Sequence, residues 1–67
     1  MASKRIGTML RELRAAKGMT QEDLAKKSKV GRSYIAKMET GEKKNPSIAV
    51  VKRLAKALGV SVAELLS

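Results

Sequence analysis

The chain has no cysteine and no histidine. Their absence removes disulfides, thiol nucleophiles, imidazole bases and the usual zinc ligands, so neither a metal site nor a cofactor is expected. Aromatic residues are reduced to Tyr34, too few for RNA or single-strand binders that stack bases on several aromatic platforms. Acids are also scarce: Glu12, Glu22, Asp23, Glu39, Glu42 and Glu64. Only Glu22 and Asp23 are neighbours in sequence, and adjacent positions on a helix do not face each other. With no nucleophile and base to pair, an enzyme is the least supported class. No apolar run approaches the roughly 20 residues of a membrane span. Met1-Ala2-Ser3-Lys4-Arg5 lacks the apolar stretch of a secretory signal. The expectation is a cytoplasmic, nucleoid-associated protein.

Against these gaps stands a large excess of positive charge. Fifteen Lys and Arg oppose six Asp and Glu, a net charge of +9 in 67 residues, with a pI near 10.4. Such a charge on a small surface attracts polyanions, either nucleic acid or an anionic membrane. Hydrophobic residues make up 43% of the chain, enough for a packed core rather than a disordered tail. One domain over residues 1–67 is expected.

Capping signals and apolar periodicity predict an all-α domain of five short helices. In the first, Ser3 is the N-cap, Ile6, Leu10 and Leu13 share one face, and Gly18 ends the run at Lys17. Thr20 and Asp23 form a capping box for a second helix that turns Leu24 and Ala25 inward and ends near Ser28. A third spans Arg32 to Thr40, with Ile35 and Met38 on its inner face and Gly41 as its stop. The longest turn follows, Glu42-Lys43-Lys44-Asn45-Pro46. Ser47 then caps a fourth helix whose buried stripe is Ile48, Val51, Leu54, Ala55 and Leu58, ending at Gly59. Ser61 and Glu64 open a terminal turn or two carrying Leu65 and Leu66. Met9, Met19 and Met38 read as core or turn filler.

The residues from Gln21 to Thr40 hold two short helices joined by Lys29-Val30-Gly31, a spacing that forces the helices to pack at a steep angle. This stretch resembles the helix-turn-helix of the lambda-repressor-like, Cro/XRE family of DNA-binding domains. The resemblance extends from Ile6 to Leu66 and rests on the order and spacing of three phrases. These are Gly18-Met19-Thr20-Gln21-Glu22-Asp23-Leu24-Ala25, Asn45-Pro46-Ser47 and Leu54-Ala55-Lys56-Ala57-Leu58-Gly59-Val60.

The family resemblance implies a compact five-helix fold and a regulator, repressor or controller, that occupies double-stranded DNA through the major groove. It assigns Arg32, Ser33 and Lys37 to base edges, where Arg and Lys suit the O6 and N7 acceptors of guanine. Tyr34 falls where the family meets a phosphate or a thymine methyl. Gln21 is expected to hold a phosphate and brace the first recognition residue. Lys43, Lys44 and Asn45 are expected to grip the DNA backbone, with Arg14 and Lys17 as secondary contacts. Arg14 and Glu39 match a recurrent buried pair.

The same resemblance has Lys29 where the family carries a left-handed glycine, a strain of about 1 kcal/mol. Gly31 stands in for the usual Ser or Thr cap. Leu65 and Leu66 either close the monomer core or pair two chains, and a homodimer would read palindromic half-sites about 34 Å apart. Lys26, Lys27, Lys52, Arg53 and Lys56 read as solvated surface. Two other classes compete: an antitoxin or adaptor that uses the fold to bind a protein partner such as a toxin, and a cationic amphipathic peptide at membranes. Gly-punctuated, capped helices favour a compact fold over the peptide, and no membrane partner is expected.

Overall fold

The computed structural model describes residues 6–66. Five helices follow in order: α1 Ile6–Ala16, α2 Gln21–Ser28, α3 Arg32–Thr40, α4 Ile48–Leu58 and α5 Val62–Leu66. No strand occurs among the described residues, and no helix in them is long and apolar enough to cross a membrane. The Ser3 cap lies outside the described residues.

The capping signals act as their chemistry requires. Both arms of the Thr20 and Asp23 box close at 3.0 Å: the Asp23 amide donates to the Thr20 hydroxyl, and the Thr20 amide donates to the Asp23 carboxylate. Hydrogen bonds from the Thr20 amide, first, and from the Thr20 hydroxyl hold the Asp23 carboxyl below its usual range. Ser47 accepts from the Val50 amide at 3.2 Å, and Ser61 from the Glu64 amide at 3.0 Å. At the far ends, the paired bonds Met19 N to Arg14 O and Gly18 N to Ala15 O close α1. Val60 N to Ala55 O and Gly59 N to Lys56 O close α4 in the same way.

Leu10, Leu24, Ile35, Met38, Leu54, Leu58 and Leu65 are fully buried, one or two from each helix. Their burial joins the five elements into one core. Helix α2 packs against α3 and α4, α1 against α3 and α5, and α5 closes on α4. At the crossing of α1 and α3, Gly7 is buried so tightly that a Cβ there would collide with the backbone carbonyl of Met38. Nothing in the local pattern of α1 announced this contact.

Two expectations need correction. Ile48 does not belong to the buried stripe: it is 59% exposed. As the first residue of α4 it sits about 60 to 70° off the centre of the arc formed by Val51, Leu54, Ala55 and Leu58, given 100° per residue. Leu65 is not available to a partner chain, because it is wholly enclosed by its own core, whereas Leu66 is 50% exposed. Five residues of α5 form little more than one turn, so consecutive leucines must point in different directions.

Candidate nucleic-acid interface

Helix α3 is built with two unlike faces. Inward point Ile35, Met38 and the side chain of Glu39. Outward point Arg32, Ser33 and Lys37, all exposed. Ala36 is half-buried between them, a small apolar residue in the middle of that outer face. The sequence reading passed over it because alanine carries no donor or charge.

The turn that delivers α3 has the expected strain. Lys29 adopts a left-handed conformation, φ 62° and ψ 28°, and its amide donates to the Ala25 carbonyl. Val30 is buried beneath the turn, and its amide donates to the buried Ser28 hydroxyl at 3.2 Å. Gly31 precedes the helix with φ −59° and ψ 142° and offers no side-chain cap. Its carbonyl nevertheless accepts from Ile35 at 3.1 Å, and α3 begins at Arg32 as expected.

Glu39 is the hub that sets the rotation of α3. Arg14 from α1 grips its carboxylate with both ends of the guanidinium, Nε to Oε2 at 2.8 Å and Nη2 to Oε1 at 3.0 Å. The third nitrogen, Nη1, donates to the Met19 carbonyl at 2.8 Å. Gln21 from α2 donates its amide N–H to Oε1 at 3.0 Å. Arg11, which sequence reasoning missed, donates to the Glu39 backbone carbonyl at 3.3 Å and brings its Nε within 3.8 Å of Oε1. Burial alone would push the Glu39 carboxyl up. The hydrogen bonds from Arg14 and Gln21, with the charges of Arg14 and Arg11, outweigh it and hold the carboxyl below its usual range. Hydrogen bonding to Glu39 in turn raises Arg14.

The clamp redefines two expected contacts. Arg14 forms the expected pair, but its side chain is only 17% exposed and all three guanidinium nitrogens are engaged. Its place is in the scaffold. Gln21 is half-buried and braces Glu39, in the last turn of α3, rather than Arg32 at its start.

The loop after α3 is tethered to the helix. Lys43 donates its backbone N–H to the Lys37 carbonyl at 3.0 Å, and its ammonium lies 4.9 Å from the centre of the Tyr34 ring. An ammonium over an aromatic face is attracted by the ring quadrupole. Lys43, Lys44 and Asn45 are exposed, and Tyr34 is half-buried against the core. Lys17 stands apart. Its ammonium lies 3.9 Å from where a side chain on Gly59 would begin, at the end of α4 rather than beside α3.

Comparisons with known proteins agree with this fold. An HTH-type transcriptional regulator of Sinorhizobium fredii is 38% identical over 64 residues, covering 96% of this chain and 82% of that protein. The restriction-modification controller protein C.AhdI of Aeromonas hydrophila superposes with a TM-score of 0.86 at 44% identity, covering 91% of both chains. SinR, a master regulator of biofilm formation solved in complex with DNA, superposes with a TM-score of 0.90 at 35% identity, over 92% of this chain and 98% of that one. SinR is also known in complex with the protein SinI. The match to Bacillus subtilis SinR spans 55% of that protein's full length. A helix-turn-helix family model covers residues 10–65, and the chain therefore belongs to the Cro/XRE-type helix-turn-helix family of DNA-binding domains.

Proposed function

We propose that this protein is a transcriptional regulator that occupies double-stranded DNA by laying the outer face of α3 in the major groove. The observation that carries the reading is the contrast within α3: its inner face is fixed by the core and by Glu39, while Arg32, Ser33 and Lys37 stand free on its outer face. A helix held in rotation and register aims its outward side chains reproducibly, which base readout requires. Arg32 and Lys37 then read guanine, Ser33 is less selective, and Ala36 supplies an apolar spot for a thymine methyl. Lys43, Lys44 and Asn45 hold phosphate, and the latch of Lys43 onto Tyr34 and Lys37 fixes where the backbone must run. SinR on DNA and the controller C.AhdI, relatives of the same fold, support this reading.

The operator is a palindrome read by two copies of the chain. Ile48 and Leu66, the exposed large hydrophobics among the described residues, border one depression of about 390 Å³ together with Ile6, Pro46 and Val51, with Lys44 and Asn45 also lining it. A second copy covering this patch removes it from water and creates the two-fold symmetry that a palindrome mirrors.

Selection of bound duplexes from a random pool tests both parts. An enriched palindrome is expected, and recovery of unenriched sequence would refute specific readout. Arg32→Ala should cost about 1–3 kcal/mol on the selected site and little on random DNA. Lys44→Ala should weaken both alike and reduce the salt dependence.

A further inference from the structure

The positive charge of this chain does not all serve α3. A second group of cations lies along the groove between α2 and α4. Lys27 of α2 and Lys56 of α4 both line two adjoining depressions, of about 340 and 290 Å³. Arg53 borders one of them, Lys17 reaches the other from the end of α1, and the buried methyl of Ala57 floors both. Met19 adds an apolar edge. No acid among the described residues lines either depression. Helix α2 packs on α3 as well as on α4, and no residue of α3 borders the groove.

We infer that this α2–α4 groove is a docking surface for an acidic segment of a partner protein, one whose carboxylates flank an apolar side chain. Three observations favour that occupant. The cations stand on both banks, so a chain lying between them meets positive charge from either side. A small, apolar floor leaves room for a side chain, which a phosphate backbone does not offer but a polypeptide does. Finally, neither α3 nor the loop after it lends a residue to either depression. The groove is thus a basic site separate from the outer face of α3, and its cationic lining suits a polyanion of its own. The proposal does not depend on the DNA reading.

The test uses the full chain, uniformly labelled for amide NMR, alone and saturated with duplex DNA at physiological salt. The probe is a synthetic peptide of repeated Glu-Glu-Leu triplets, with a random-sequence duplex as the competing polyanion. Shifts at Lys27, Arg53, Lys56 and Ala57 are expected in the DNA-saturated protein. The double variant Lys27→Glu, Lys56→Glu should bind peptide about tenfold more weakly, since opposite charge is replaced by like charge, and should lose less affinity for duplex than for peptide. Three results would overturn the inference: peptide shifts confined to α3 and abolished by duplex, a second duplex occupying the groove and excluding peptide, or peptide binding unchanged in the folded double variant. If the protein fails to bind DNA at all, the peptide measurement on the free chain still decides the matter.

Discussion

Helices α3 and α4 are of similar length and both end on a left-handed glycine, yet they are held in place by different forces. Helix α4 buries Val51, Leu54, Ala55, Ala57 and Leu58 and draws its hold from apolar contact. Helix α3 buries only Ile35 and Met38 as apolar residues and adds the Glu39 clamp and the close approach of Gly7. Hydrophobic burial is strong but non-directional, so it fixes that a helix is docked more firmly than how it is rotated. Hydrogen bonds from Arg14, Gln21 and Arg11 are directional. The helix that must present particular side chains is the one with the polar clamp, and the helix that supplies stability is the one without it.

This contrast can be broken from either side. The largest loss is expected from Leu54→Ala, which opens a cavity under α4 and should cost about 2–5 kcal/mol in urea unfolding. That is most of what so small a core supplies. Glu39→Gln should cost about 3 kcal/mol, because it leaves the Arg14 charge without its partner. It should also lower sequence discrimination in the remaining folded protein, measured as the ratio of selected-site to random-duplex affinity. The milder Leu54→Val should lose stability with that ratio intact; equal loss of discrimination in both would erase the distinction between the two helices.

Acid titration sharpens the same point. Because the Glu39 carboxyl is held below its ordinary value of 4.5 in the folded chain, its contribution is complete above that pH. It is lost as the pH falls through the lower folded value. Glu39→Gln should flatten this limb of the stability curve, while Leu54→Val should shift the curve without changing its slope. The smallest effect is expected at the turn between α2 and α3. Lys29→Gly relieves the left-handed strain and should stabilise by up to about 1 kcal/mol, with DNA discrimination unchanged.

Much of the fold was readable from local signals. Thr20 with Asp23, Ser47 and Ser61 cap where their hydrogen-bonding chemistry says they must, and α2 and α3 have the expected bounds. What escaped was decided by partners distant in sequence. Ile48 continues an apolar spacing but falls on the edge of the arc that α2 and α5 cover. Leu65 and Leu66 are identical in type, and only the docking direction of α5 separates them. The Arg14 and Glu39 pair followed from family resemblance. The additional grip of Arg11, and the choice of Glu39 over Arg32 by Gln21, required three helices to be in place. Gly7 carried no signal, because a glycine near a helix start has many ordinary reasons to be there.

Tyr34, under the Lys43 ammonium, has one more use. The chain holds no tryptophan, phenylalanine or histidine, so the aromatic carbon resonances of a labelled sample come from a single ring. That ring sits where the loop after α3 is fastened to the helix. Its line shape reports, without mutation or attached dye, whether the fastening opens when the protein meets a duplex, and how quickly it closes again.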